Sequence, residues 1–98
     1  MSAWPFPDPE NAATITVRQI VDGSKPVLLA CRDAEDGSWM FLTGDPFEMA
    51  DSKMVSLKSM VDRDPTLVEL ADLPVGWEAS RTAKGAPWQR SQSEADDA

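Results

Sequence analysis

The chain contains no histidine and no tyrosine among its 98 residues, and it has a single cysteine, Cys31. Without histidine there is no imidazole base, none of the commonest metal ligand and no histidine-dependent triad. One cysteine excludes an internal disulfide, which agrees with a reducing, cytoplasmic setting. Cations are also scarce, 9 Lys and Arg against 17 Asp and Glu, for a net charge of −8. Phosphate recognition needs clustered Lys and Arg, so nucleic acid is not an expected partner. No stretch approaches the roughly 20 apolar residues of a membrane span, and the opening MSAWPFPDPE lacks the basic and apolar regions of a secretory signal. No Walker loop, dinucleotide-binding glycine pattern or CxxC pair occurs.

What is present is enough for one domain. The hydrophobic fraction is 42%, ordinary for a globular chain. A chain of this length buries roughly 60–68% of its unfolded surface, which allows one core and little room for a deep pocket. Charge is uneven: residues 1–76 carry −7, residues 77–90 carry +2 and residues 91–98 carry −3. An acidic body steers a basic protein partner.

Three regions follow from composition: a proline-rich extended arm over 1–12, a single α+β domain over 13–90 and a disordered acidic tail over 91–98. Pro5, Pro7 and Pro9 forbid helix in the arm, and Trp4 and Phe6 are expected to dock on the parent domain. Ala13–Val21 (ATITVRQIV) reads as a strand and one helical turn, ended by Asp22-Gly23. Val27–Arg32 and Trp39–Thr43, joined by the polar DAEDG turn, read as a β-hairpin over about 27–43. Trp39, Phe41 and Thr43 share one face, and Met40 and Leu42 the other. Both faces are apolar, which predicts a central strand covered on both sides. Burying Trp39 contributes up to ~5 kcal/mol.

Gly44 permits positive φ, and Pro46 cannot continue a central ladder. Met54–Ser56 suggests a short strand. Ser56 is an N-cap for a helix over about 57–63, with Leu57, Met60 and Val61 on one face. Asp64-Pro65 caps a second helix over about 65–72, and Pro74 ends it. Trp77–Thr82 and Ala86–Arg90 form a C-terminal strand pair, with Pro87 confining the last strand to an edge. The expected fold is therefore α+β: a small antiparallel sheet with a central hairpin, two short helices and that strand pair.

Chemistry is hard to find in this pattern. Cys31 lies within VLLACR and reads as a buried thiol. Arg32 beside it points to the opposite face of a strand. Asp33, Glu35, Asp36 and Gly37 do not fit an EF-hand: with Gly37 in the sixth position, Thr43 falls where the twelfth-position acid is required. Asp45 and Glu48 have no sign of the burial that splits the pKa values of a catalytic pair. Neither an enzyme, nor a cofactor, nor a metal site is expected. The loop Asp45–Lys53 mixes acids with apolar side chains, which suits an interface. Its candidate partner-binding residues are Asp45, Phe47, Glu48, Met49 and Asp51.

Ser38–Asp45 (SWMFLTGD), Arg63–Pro74 (RDPTLVELADLP) and the following Gly76-Trp77 together resemble the immunity protein 33 family, formerly an uncharacterised bacterial domain family. The resemblance covers roughly residues 14–90, with Trp39, Gly44, Asp45, Asp64, Pro65, Pro74 and Gly76 matching by position. It implies a small α+β domain. It also implies a bacterial immunity protein, one that masks the surface of a toxin and performs no chemistry. The family pattern names no catalytic residues. The alternative reading is a stand-alone domain: a small-ligand or anion-binding regulatory module, or a self-associating one, monomer or homodimer.

Overall fold

The computed structural model describes residues 4–46 and 48–92. Six strands form one sheet: β1 (Ala13–Val17), β2 (Leu29–Arg32), β3 (Trp39–Leu42), β4 (Ser52–Ser56), β5 (Trp77–Ser80) and β6 (Gln89–Gln92). One helical turn, α1 (Arg18–Val21), follows β1, and α2 (Leu57–Arg63) follows β4. Met49–Asp51 and Pro65–Leu70 are 3₁₀ segments. The spatial order is β4-β1-β3-β2-β5-β6. The fold is α+β, as the sequence predicts.

The sheet is mixed where a wholly antiparallel one was expected. The β2–β3 hairpin forms in the expected register, Ala30 opposite Phe41 and Arg32 opposite Trp39. β1, however, pairs in parallel with the free side of β3, Thr14 beside Trp39. The chain from β1 to β3 passes through α1 and β2, which gives it the length a parallel crossover needs. The second helix is also tighter than expected. Asp64 caps it, accepting the Thr66 N–H at 3.1 Å, with Pro65 at its start. α2 begins as predicted, with the Ser56 hydroxyl accepting the Ser59 N–H at 3.1 Å. β6 is an edge strand and runs on to Gln92, so Ser91 and Gln92, assigned above to the acidic tail, pair with Glu78 and Trp77. The rest of that tail, 93–98, lies outside the described residues.

Side chains alternate across a strand, and here the two faces differ sharply. Thr14, Thr16, Ala30, Trp39, Phe41 and Ala79 are fully buried, with Leu57, Met60, Leu67, Leu70 and Leu73 completing the core. The two buried threonines satisfy their hydroxyls on strand carbonyls: Thr16 Oγ1 donates to Phe41 O at 2.8 Å and Thr14 Oγ1 to Val55 O at 2.9 Å. Their hydroxyls therefore carry no burial penalty.

The proline-rich arm belongs to this core. Phe6 meets Trp39 edge-on at 5.6 Å, Trp39 stacks on Phe41 at 5.6 Å, and Trp4 leans on Phe6 at 5.3 Å. Such aromatic pairs add about 0.5–1.5 kcal/mol each beyond area burial. Asp8 fastens the arm. Its Oδ1 accepts from Arg32 Nη2 and from Trp39 Nε1, both at 3.2 Å, and its carbonyl accepts from Trp4 Nε1 at 2.6 Å. Arg32 also donates to Leu73 O at 2.9 Å and lies 5.0 Å from the Trp39 ring centre.

A second buried cation organises the opposite end of the core. Arg81 donates from Nε to Val27 O at 3.0 Å, from Nη1 to Thr66 Oγ1 at 2.9 Å and from Nη2 to Asp64 Oδ2 at 2.7 Å. The indole of Trp88 covers it at 4.1 Å. Both charged side chains are almost fully excluded from solvent, 1% exposed for Arg81 and 8% for Asp64.

Candidate functional site

The loop expected to meet a partner is a surface element, and its residues do different jobs. Asp45 is exposed and pairs with Lys25 Nζ at 3.2 Å. Its own N–H donates to Thr43 Oγ1 at 3.2 Å, so it is the threonine hydroxyl that closes this turn. Glu48 is exposed, and Met49 is 82% exposed. Asp51 is turned inward to α1, accepting from Gln19 Nε2 at 3.0 Å and from Arg18 Nε at 3.4 Å. The Gln19 contact, joined by Arg18, holds its carboxyl below the usual range. Phe47 lies outside the described residues. Among the described residues, the side chains of Glu48 and Met49 are thus left without a hydrogen bond or ion pair, on a loop that leads directly into β4.

The larger feature is the sheet face turned away from the core. Strand register aligns Met54, Ile15, Met40, Cys31, Glu78 and Ser91 in one row across all six strands. Met54 is 71% exposed and Ile15 36%, while Met40, Cys31 and Glu78 are half-buried. Leu29 and Leu42 form the adjacent pair on the same face. The strand β3 is central, as predicted, and its two sides are covered to different extents. On the side away from Trp39 and Phe41, Leu42 is buried in the core cluster and Met40 is half-buried, so the covering expected on both sides is reached at Leu42 and is incomplete at Met40.

This open face has an acidic rim. A hollow of about 390 Å³ lies between Ile15, Cys31 and Met40, with Asp33, Asp36 and Ser38 at its edge and Arg32, whose guanidinium is paired with Asp8, also in its lining. Asp33 and Asp36 shape the β2–β3 turn: Asp33 Oδ1 accepts the Glu35 N–H at 2.6 Å and Asp36 Oδ1 accepts the Ser38 N–H at 2.9 Å. The backbone and hydroxyl of Ser38 keep Asp36 well ionised. Cys31 is half-buried; burial pushes its thiol pKa up and the Glu78 carboxylate adds to the effect. A thiol so placed is a weak nucleophile. Its neighbour Arg32 points to the other face, as strand alternation requires.

Among the described residues, no group of three His, Cys, Asp or Glu could hold a metal ion, and no helix is long and apolar enough to cross a membrane. The arrangement is a sheet face that is apolar in the middle and carries acidic side chains at one end.

The sequence reading missed Ile15 and Met54. A signal for Ile15 was available in ATITV, where the isoleucine stands between two threonines. The pattern inverts the usual polarity: the threonines face the core and Ile15 faces out. Comparison with known proteins finds no matching family model, and no curated protein or solved structure of significant similarity.

Proposed function

We propose that this chain is a non-enzymatic protein-binding domain, of the bacterial immunity-protein type, and that its open sheet face docks a basic protein. The observation that carries the reading is the row Met54–Ile15–Met40–Cys31, an apolar strip of exposed and half-buried side chains on the sheet face opposite Trp39 and Phe41. An exposed apolar strip rimmed by charge is the composition of an interaction surface. The rim selects the partner's sign: Asp33, Asp36 and Glu78 border the strip, on a chain of net charge −8. A second copy of this chain would bring the same three carboxylates against them, which favours a basic partner over self-association. The toxin as target class is suggested by the immunity-family resemblance in Ser38–Asp45 and Arg63–Pro74. Glu48 and Met49, at the entrance to β4, extend the contact.

The test is affinity capture from the native cytosol with three baits: the wild-type chain, Ile15→Lys plus Met54→Lys, and Glu48→Lys plus Met49→Ala. A basic protein held by the wild type, lost with the sheet-face bait and re-formed from purified components supports the reading. Its association rate should fall steeply between low and physiological salt, because exposed charges beyond about 8–10 Å are screened there. A partner that binds the sheet-face variant as well as the wild type overturns the assigned surface. A partner that associates at a salt-independent rate overturns the electrostatic part.

A further inference from the structure

A second concave region shares no residue with the open face. It is a cleft of about 370 Å³ between the loop after α1, the end of α2 and the turn after β5. Ile20, Val27 and Met60, all buried, form its apolar floor. Lys25, Arg63 and Lys84 stand at its rim. Three of the chain's nine cations are thus gathered at one opening of a molecule that is acidic elsewhere.

The carboxylates near this opening are occupied. Asp64 is committed to Arg81 and Thr66. Asp22 accepts from the N–H and hydroxyl of Ser24 and pairs with Arg18. Asp45 pairs loosely with Lys25, both groups half-exposed or more. Arg63 and Lys84 have no carboxylate partner among the described residues. Arg63 is nonetheless held in place, its Nη1 donating to Val21 O at 2.7 Å. The cleft therefore presents two uncompensated positive charges above an apolar floor, at the lower end of the volume range of small-molecule sites.

We propose that this cleft binds a small amphipathic anion: a carboxylate or phosphate monoester on a short alkyl or aryl body. The body lies on Ile20, Val27 and Met60, and the anionic group meets Arg63 and Lys84. Arg63 is the positioned donor, and Lys84, on an exposed turn, adds a mobile charge. A bare anion lacks the apolar contact, and a neutral alcohol of the same length lacks the charge, so both bind more weakly.

The test is a titration of the full chain, labelled with ¹⁵N, using three probes: sodium octanoate, inorganic phosphate and 1-octanol. Octanoate should give saturable shifts at the amides of Gly23, Ser24, Val27 and Lys84, with the other two probes giving smaller shifts at equal concentration. Lys84→Gln, an exposed substitution without effect on the fold, should weaken octanoate about three- to fivefold, the worth of one exposed charge contact. Equal shifts from octanol and octanoate would overturn the anion assignment. Equal shifts from phosphate and octanoate would overturn the apolar part. Saturable shifts confined to the sheet face, or none, would overturn the site. None of these outcomes bears on the docking of a protein at the open face.

Discussion

Replacing Asp64 with alanine should damage this protein far more than the loss of a helix cap. Read from sequence alone, Asp64 caps the segment that begins at Pro65, and removing a cap costs about 1 kcal/mol. The structure gives the same carboxylate a second task, since it is the only acidic partner of a buried guanidinium among the described residues. Without Asp64, Arg81 keeps its bonds to Val27 O and Thr66 Oγ1 but is left as an uncompensated charge in a site from which water is excluded. Breaking a buried pair in this way costs about 3–5 kcal/mol. With the cap, the expected loss is about 4–6 kcal/mol, against a total stability of about 5–15 kcal/mol for a domain of this length. Urea unfolding followed by tryptophan fluorescence measures it. The double variant Asp64→Ala plus Arg81→Met should be more stable than Asp64→Ala alone, because the orphaned charge is gone. A loss of about 1 kcal/mol or less in the single variant, or a double variant destabilised by the sum of its parts, would refute the reasoning.

Phe6→Ala should cost about 3–5 kcal/mol by the same assay, since the ring is buried against Trp39 although it stands in a proline-rich arm. Gly44→Ala should cost about 1–2 kcal/mol through backbone strain alone, since φ is +88° and an added Cβ meets nothing within 4 Å; Gly44→Asn should recover part of it. Acid should destabilise the chain in a way that depends on Arg81. Burial works to raise the Asp64 pKa, but the bonds from Thr66 and Arg81 outweigh it and the net shift is downward. A carboxyl lower in the folded than in the unfolded chain contributes stability above the unfolded value of about 3.9, and that stability is lost as pH falls through the folded value. The urea midpoint should therefore drop between pH 6 and pH 3, and drop less in Arg81→Met. Ile15→Lys plus Met54→Lys should leave the midpoint nearly unchanged, within about 0.5 kcal/mol per site, while removing partner binding.

Most of the elements were legible because their signals are local. The DAEDG turn between two apolar runs specifies the β2–β3 hairpin, and Ser56 and Asp64 cap the helices from their own side chains. Strand order was not legible. Nothing in ATITV announces that β1 will lie parallel to β3, and that pairing is what brings Ile15 beside Met40. The open face was missed for the same reason: its row is assembled from five different strand pairings and from no contiguous segment. Apolar residues on both sides of Trp39–Thr43 suggested a doubly covered strand, and Trp39, Phe41 and Leu42 are buried while Met40 stays half-buried. The Asp64–Arg81 pair joins residues 17 apart in sequence, so the sequence showed the cap and hid the ion pair. The described residues of the loop Asp45–Lys53 are exposed or half-exposed, but Asp51 serves α1, which no property of the loop itself signalled.

The sheet-face assignment has a built-in reporter, because the only cysteine of the chain lies in the apolar row. The measurement is the rate at which iodoacetamide alkylates Cys31 in the free protein and in its purified complex with the captured basic partner. Protection of Cys31 in the complex, with the rate restored when salt dissociates the partner, is the predicted result. An unchanged alkylation rate in a complex shown to be intact would contradict the account, since the partner would then sit elsewhere than on the open face.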